Sequence, residues 1–97
     1  MFEFKFTENS LGDLQQLRKA DQTRILAAIE IHLKSQPIRV TKNRKRLRPN
    51  SLATFELRVG DFRVFYDVDE TARIVSIRAV GWKVHNKLYF RGEEFNL

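Results

Sequence analysis

The chain has 97 residues and a mass of 11.5 kDa, room for one domain over 1–97, and a 42% hydrophobic content with eight phenylalanines excludes a disordered chain. It has no cysteine, no apolar run of transmembrane length and no signal-peptide plan in its opening Met1-Phe2-Glu3-Phe4, which excludes disulfides, zinc–cysteine sites and thiol nucleophiles and points to a soluble cytoplasmic protein. The formal net charge is +6, and one segment carries the excess: no acid stands between Glu30 and Glu56, where Lys34, Arg39, Lys42, Arg44, Lys45, Arg46 and Arg48 lie. Such a concentrated field attracts polyanions and raises their encounter rate. Nucleic acid is the leading partner class, ahead of an acidic protein.

In chain order, Phe2, Phe4 and Phe6 alternate with Glu3 and Lys5, the pattern of a strand with one buried face. Thr7 or Asn9 can cap a short helix bearing Leu11, Leu14 and Leu17 at helical spacing. Asp21 is the expected N-cap of a longer helix with Ile25, Leu26, Ile29 and Leu33 on one stripe, and Pro37 ends it because it cannot donate an N–H. These two helices form a hairpin, and the basic stretch from Arg39 to Arg48 follows as a loop or ragged edge.

The second half reads as strand throughout. Phe55, Leu57 and Val59 alternate with Thr54, Glu56 and Arg58, then Gly60-Asp61 gives a two-residue hairpin turn. Phe62, Val64, Tyr66 and Val68 continue the alternation, Asp69-Glu70-Thr71 turns again, and Arg73 to Val80 is a third strand that Gly81 should break. The resulting class is α+β: an N-terminal strand, a helical hairpin and an antiparallel β-meander with helices packed on one face. Parity then puts Val75, Ile77 and Ala79 in the core. It leaves Glu56, Arg58, Arg63 and Arg78 together on an open outer face.

Lys45-Arg46-Leu47-Arg48, the run Phe55-Glu56-Leu57-Arg58-Val59-Gly60-Asp61-Phe62-Arg63-Val64-Phe65-Tyr66, and Val80-Gly81 with Tyr89 resemble the RelE/ParE toxin superfamily of type II toxin–antitoxin modules. The likeness spans nearly the whole chain, and it implies the RelE-like α+β fold and a cognate antitoxin partner. The same scaffold serves ribosome-dependent mRNA endonucleases and DNA gyrase inhibitors. The nuclease branch implies an enzyme without metal or cofactor, in which the ribose 2′-OH attacks the adjacent phosphate on the ribosome. A ParE-like gyrase inhibitor is the alternative, and an inactive member that only binds RNA or antitoxin is a third.

By the same resemblance, Arg63 matches a strand arginine that holds the phosphate, and Lys83 stands where an arginine usually stabilises the transition state. Tyr89 matches a C-terminal tyrosine that stacks on a base or assists proton transfer, and Arg48 matches a residue gripping RNA backbone. Lys42, Arg44, Lys45, Arg46, Arg58 and Arg78 complete the expected RNA-binding set. The two lysines of the RelE archetype are replaced here by Thr54 and Glu56, so the general base is either Glu56 or His85, whose imidazole suits proton transfer near neutral pH. His32 lies among core positions of the second helix and reads as structural. Two histidines this far apart with no cysteine give no basis for a metal site.

Overall fold

The structure, a computed structural model, describes residues 1–96. Two helices and a seven-stranded sheet make the predicted α+β fold: β1 (Glu3–Phe6), α1 (Glu8–Gln15), α2 (Lys19–Leu33), β2 (Arg44–Arg46), β3 (Phe55–Val59), β4 (Phe62–Asp69), β5 (Ile74–Val84), β6 (Lys87–Phe90) and β7 (Glu93–Phe95). The sheet runs β2-β3-β4-β5-β6-β7, antiparallel throughout, and β1 joins it parallel to the first half of β5. No helix among the described residues is long and apolar enough to cross a membrane.

Local chemistry explains most of the elements. Thr7 caps α1, its hydroxyl accepting from the Ser10 amide at 3.2 Å while itself donating towards the Ile77 carbonyl of β5. The second helix begins earlier than Asp21. Arg18 is its N-cap, and Asp21 sits in the first turn, where a negative charge favours the helix N-terminus. Its end at Leu33 precedes the buried Pro37, whose carbonyl accepts a 2.8 Å bond from the Tyr66 hydroxyl. The stripes are narrower than expected: Leu14, Ile25, Ile29 and Leu33 are buried, whereas Leu11 and Leu26 are exposed.

Three expectations meet the sheet differently. First, of the two readings of the basic stretch the ragged edge holds, because Arg44–Arg46 pairs with β3 as the outermost strand of the sheet. Second, Gly81 does not stop β5, which continues to Val84. A side chain at Gly81 would press on the Tyr89 carbonyl at 2.5 Å, so the glycine serves close approach of β6. Third, β5 carries a bulge where Phe65 pairs with Ala79 and Tyr66 with Ile77, leaving Arg78 over. The extra residue reverses the parity, so Ala79 faces away from the helices and Val80 faces them.

The outer face is therefore not open. Helices α1 and α2 cover one face with a cluster that includes Ile25, Leu33, Leu57, Tyr66 and Ile77. A second cluster of Phe65, Ala79, Leu88 and Phe90 lies on the other face, flanked by Leu47, Leu52, Ala53 and Phe95. What covers it is the β2–β3 connection and a C-terminal hairpin, β6–β7, that the alternation did not reveal. Both of its flanking turns are tight: His85 and Asn86 have φ of 50° and 67°, Arg91 and Gly92 of 52° and 74°. Two successive left-handed residues are what a type I′ turn requires.

Candidate functional site

The basic segment and the C-terminal hairpin face each other across a cleft of about 360 Å³. Lys45, Arg46 and Arg48 line one side, Lys83, Lys87 and Glu94 the other, and Glu56 of β3 lies between them. Five cations surround two carboxylates there, so the cleft is a trap for anions.

Glu56 is 7% exposed at its side chain, with Lys45 Nζ 3.5 Å from one carboxylate oxygen and Arg63 Nε 3.9 Å from the other. Lys45 stands directly opposite Glu56 in the β2–β3 register, which fixes the pair on one face. Arg63 is 8% exposed and lines neither this cleft nor its neighbour. Its Nη1 donates to the Gly60 carbonyl at 2.8 Å and the Phe62 carbonyl at 2.9 Å, while Nε has no hydrogen-bond partner. Burial pushes the Arg63 pKa below its ordinary value; Glu56 opposes that shift and Arg58 adds to it. The guanidinium nonetheless stays charged at neutral pH.

A second cleft, also about 360 Å³, adjoins the first along Arg46, Leu47 and Arg48. Its wall is held by Asn50, whose amide nitrogen donates to the carbonyls of Arg48 (2.7 Å) and Ala53 (2.9 Å) and whose oxygen accepts from the amides of Leu52 and Ala53. Arg78, the bulged residue, reaches into this cleft and pairs with Asp67 at 3.3 Å. Asp67 also accepts from the Thr54 amide at 2.7 Å.

Of the expected site residues, Arg46 and Lys83 line the first cleft while Lys42, Arg44, Arg58, His85 and Tyr89 line neither. Arg44 is turned to the end of α2, donating to the carbonyls of His32 and Gln36 and to the Thr41 hydroxyl, so it closes a helix C-terminus. The Arg46 guanidinium lies 5.4 Å from the centre of the Phe55 ring. Lys42 is exposed ahead of β2, and Arg58 is exposed opposite Arg63. His85 is exposed at the β5–β6 turn and lines neither cleft. Tyr89 pairs with Trp82 in register, their rings 6.4 Å apart, whereas Lys83 pairs with Leu88. Successive residues alternate, so Tyr89 lies on the helix-side face and Lys83 on the cleft face.

Asn86, Lys87 and Glu94 are not legible in the sequence as cleft residues, because the hairpin that carries them shows too few alternating positions; the Asn86 and Arg91-Gly92 turn residues are the available signal. Asp13 is equally hidden in the sequence. Between the ends of β1 and β6, β5 has no strand neighbour on that edge. Asp13 fills the gap, accepting from the Val80 amide at 3.0 Å and pairing with Arg91 Nε at 3.1 Å. Burial pushes its carboxyl above the ordinary value, against the opposing pull of the Val80 amide and Arg91. Among the described residues no group of three or more His, Cys, Asp or Glu is placed to hold a metal ion.

This fold matches solved toxin structures. The chain is similar to one in the toxin–antitoxin complex RelBE2 from Mycobacterium tuberculosis, with a TM-score of 0.69 and 24% identity over 84% of this chain and 98% of that one. It is similar also to one in the archaeal RelE–RelB complex from Pyrococcus horikoshii OT3, with a TM-score of 0.66 and 26% identity over 81% and 91% respectively. No curated protein matches. Residues 4–82 match the family described as the ParE toxin of the type II toxin–antitoxin system parDE, and the chain belongs to that family, within the RelE/ParE superfamily. It is accordingly a toxin of a type II toxin–antitoxin module. The match ends at Trp82, so Lys83, His85, Tyr89 and the whole β6–β7 hairpin lie beyond it.

Proposed function

We propose that the toxin cleaves mRNA on the ribosome by metal-free attack of a ribose 2′-OH, and that a cognate antitoxin neutralises it. The observation that carries this reading is the cleft itself: a single recessed carboxylate, Glu56, in a ring of lysines and arginines. Glu56 takes the proton of the 2′-OH, the 2′-oxygen bonds to phosphorus, and the bond to the 5′-oxygen breaks. Lys83, Lys87 and Arg48 hold the charge growing on the phosphoryl oxygens, and a lysine ammonium of the cleft returns a proton to the leaving oxygen. The products are a 2′,3′-cyclic phosphate and a 5′-OH. Glu56 takes the base role over His85 because it lines the cleft and His85 does not. The antitoxin partner follows from the complexes in which both similar chains are found.

The test is primer extension on a reporter mRNA in a reconstituted translation system, with and without ribosomes. Glu56→Gln should slow single-turnover cleavage by about 10²- to 10⁴-fold, the usual worth of a general base, with ribosome binding kept. A second reading, inhibition of DNA gyrase, is favoured by the family match and by Tyr89 facing away from the cleft. Intact mRNA together with blocked gyrase supercoiling would establish it instead.

A further inference from the structure

We propose that Arg63 is a positioning residue that orders Glu56 from beneath the cleft, and that it is not a ligand of the RNA phosphate. This rests on the nuclease reading for its catalytic consequence, but its structural content stands apart from it. Four observations carry it. The side chain is more than nine-tenths buried, with Nε itself out of reach of water, and lines neither cleft. Its Nη1 is already committed to the carbonyls of Gly60 and Phe62, which fixes the fork to the β3–β4 turn. Its unpartnered Nε lies 3.9 Å from Glu56 Oε1, on the side of the carboxylate away from Lys45. Lys45, Lys83, Lys87 and Arg48 already supply the cleft with exposed or half-exposed cations.

Chemistry separates the two roles. A phosphate ligand must shed its existing partners and reach solvent, whereas a group that aims a carboxylate is best fixed by backbone bonds, as Arg63 is. A buried carboxylate with no cation behind it would be costly, and Lys45 alone is too exposed to offset that cost.

The experiment measures binding of a single-stranded oligoribonucleotide at graded salt, together with single-turnover cleavage on ribosomes at saturating toxin. Removing one cation that neutralises a phosphate of a single strand reduces the salt slope by about 0.7. Lys83→Gln and Arg48→Gln should each show that step, and Arg63→Gln should not. Cleavage by Arg63→Gln should fall on the order of 100-fold, as misplacement of a reacting group by an ångström does. The same change made in Glu56→Gln should cost almost nothing further. A reduced salt slope, unchanged cleavage, or an equal fall in the Glu56→Gln background would each overturn the proposal.

Should Arg63→Gln fail to fold, Arg63→Lys carries the test. It keeps the charge behind Glu56 but not the fork, so positioning requires slower cleavage at unchanged RNA affinity, and a parallel drop in affinity refutes it. If the wild-type toxin cuts no RNA, the nuclease reading falls while the salt slope still decides whether Arg63 touches phosphate. A double-mutant cycle of Arg63→Gln and Glu56→Gln in urea unfolding then decides the rest: non-additive costs support the pair, and additive ones overturn it.

Discussion

The two faces of the sheet are built differently. Against the helices, Ile25, Leu33, Leu57, Val64, Tyr66, Val75 and Ile77 are wholly excluded from water, and the one buried hydroxyl among them, that of Tyr66, has found the Pro37 carbonyl. On the far face four buried residues are sealed by a loop and two short strands, and beside them lie the buried but charged Glu56 and Arg63. One face supplies stability through apolar area and the other gives up some of it to shape a site. Charge follows the same division, since the cleft and its cations lie on the thinner side.

Substitutions can break that contrast, and the largest effect should come from the helix side. Ile77→Ala should cost about 3–4 kcal/mol in urea unfolding, through lost burial plus the cavity left behind, while RNA affinity per folded molecule stays at the wild-type value. Phe90→Ala should cost less, about 2–3 kcal/mol, because its cluster is small and the partly buried Leu47, Leu52, Ala53 and Phe95 around it can shift into the space left. Unlike Ile77→Ala it should weaken RNA binding, since it loosens the hairpin that carries Lys87. A Phe90 variant that binds RNA normally would show that the second cluster does not shape the cleft.

The smallest effect belongs to Asp13, which ties α1 to the hairpin and so bridges the two regions. Asp13→Asn keeps an acceptor for the Val80 amide and loses the ion pair with Arg91, at a cost of roughly 1 kcal/mol. Its pH dependence is diagnostic. Because burial raises the Asp13 pKa in the folded state, its contribution is fully present below the ordinary carboxylate value and is lost as pH rises through the raised one. The stability of Asp13→Asn relative to the parent should therefore improve with rising pH across that window. A gap that widens instead would mean the Arg91 pair outweighs desolvation.

Periodicity made the helix-side half legible. Phe55, Leu57, Val59, Val64 and Tyr66 lie where alternation put them, and the Gly60-Asp61 turn joins Val59 to Phe62 as expected, with Gly60 at φ 59°. The cleft half was less legible for physical reasons. A bulge at an arginine leaves no compositional mark, so simple alternation puts Ala79 on the helix side whereas it belongs to the opposite cluster. A three-residue strand such as Arg44–Arg46 shows too few positions for any period, and the β6–β7 strands are nearly as short. Glu56 and the cations around it were all visible as residues, but their convergence depends on a hairpin that the alternation did not reveal. Asp13 was invisible because its partners, Val80 and Arg91, are 67 and 78 residues away.

The extra residue in β5 acts as a phase shift in an otherwise regular wave. Upstream of Arg78 the odd-numbered side chains point to the helices, and downstream the even-numbered ones do, so Val80 and Trp82 face one way and Lys83 the other. Deletion of that single position would re-phase everything after it. Lys83 would be carried away from the cationic cleft and Trp82 driven into it, with none of the other side chains that line the cleft altered. Along this strand, the count of residues constrains the toxin as strictly as their identity does.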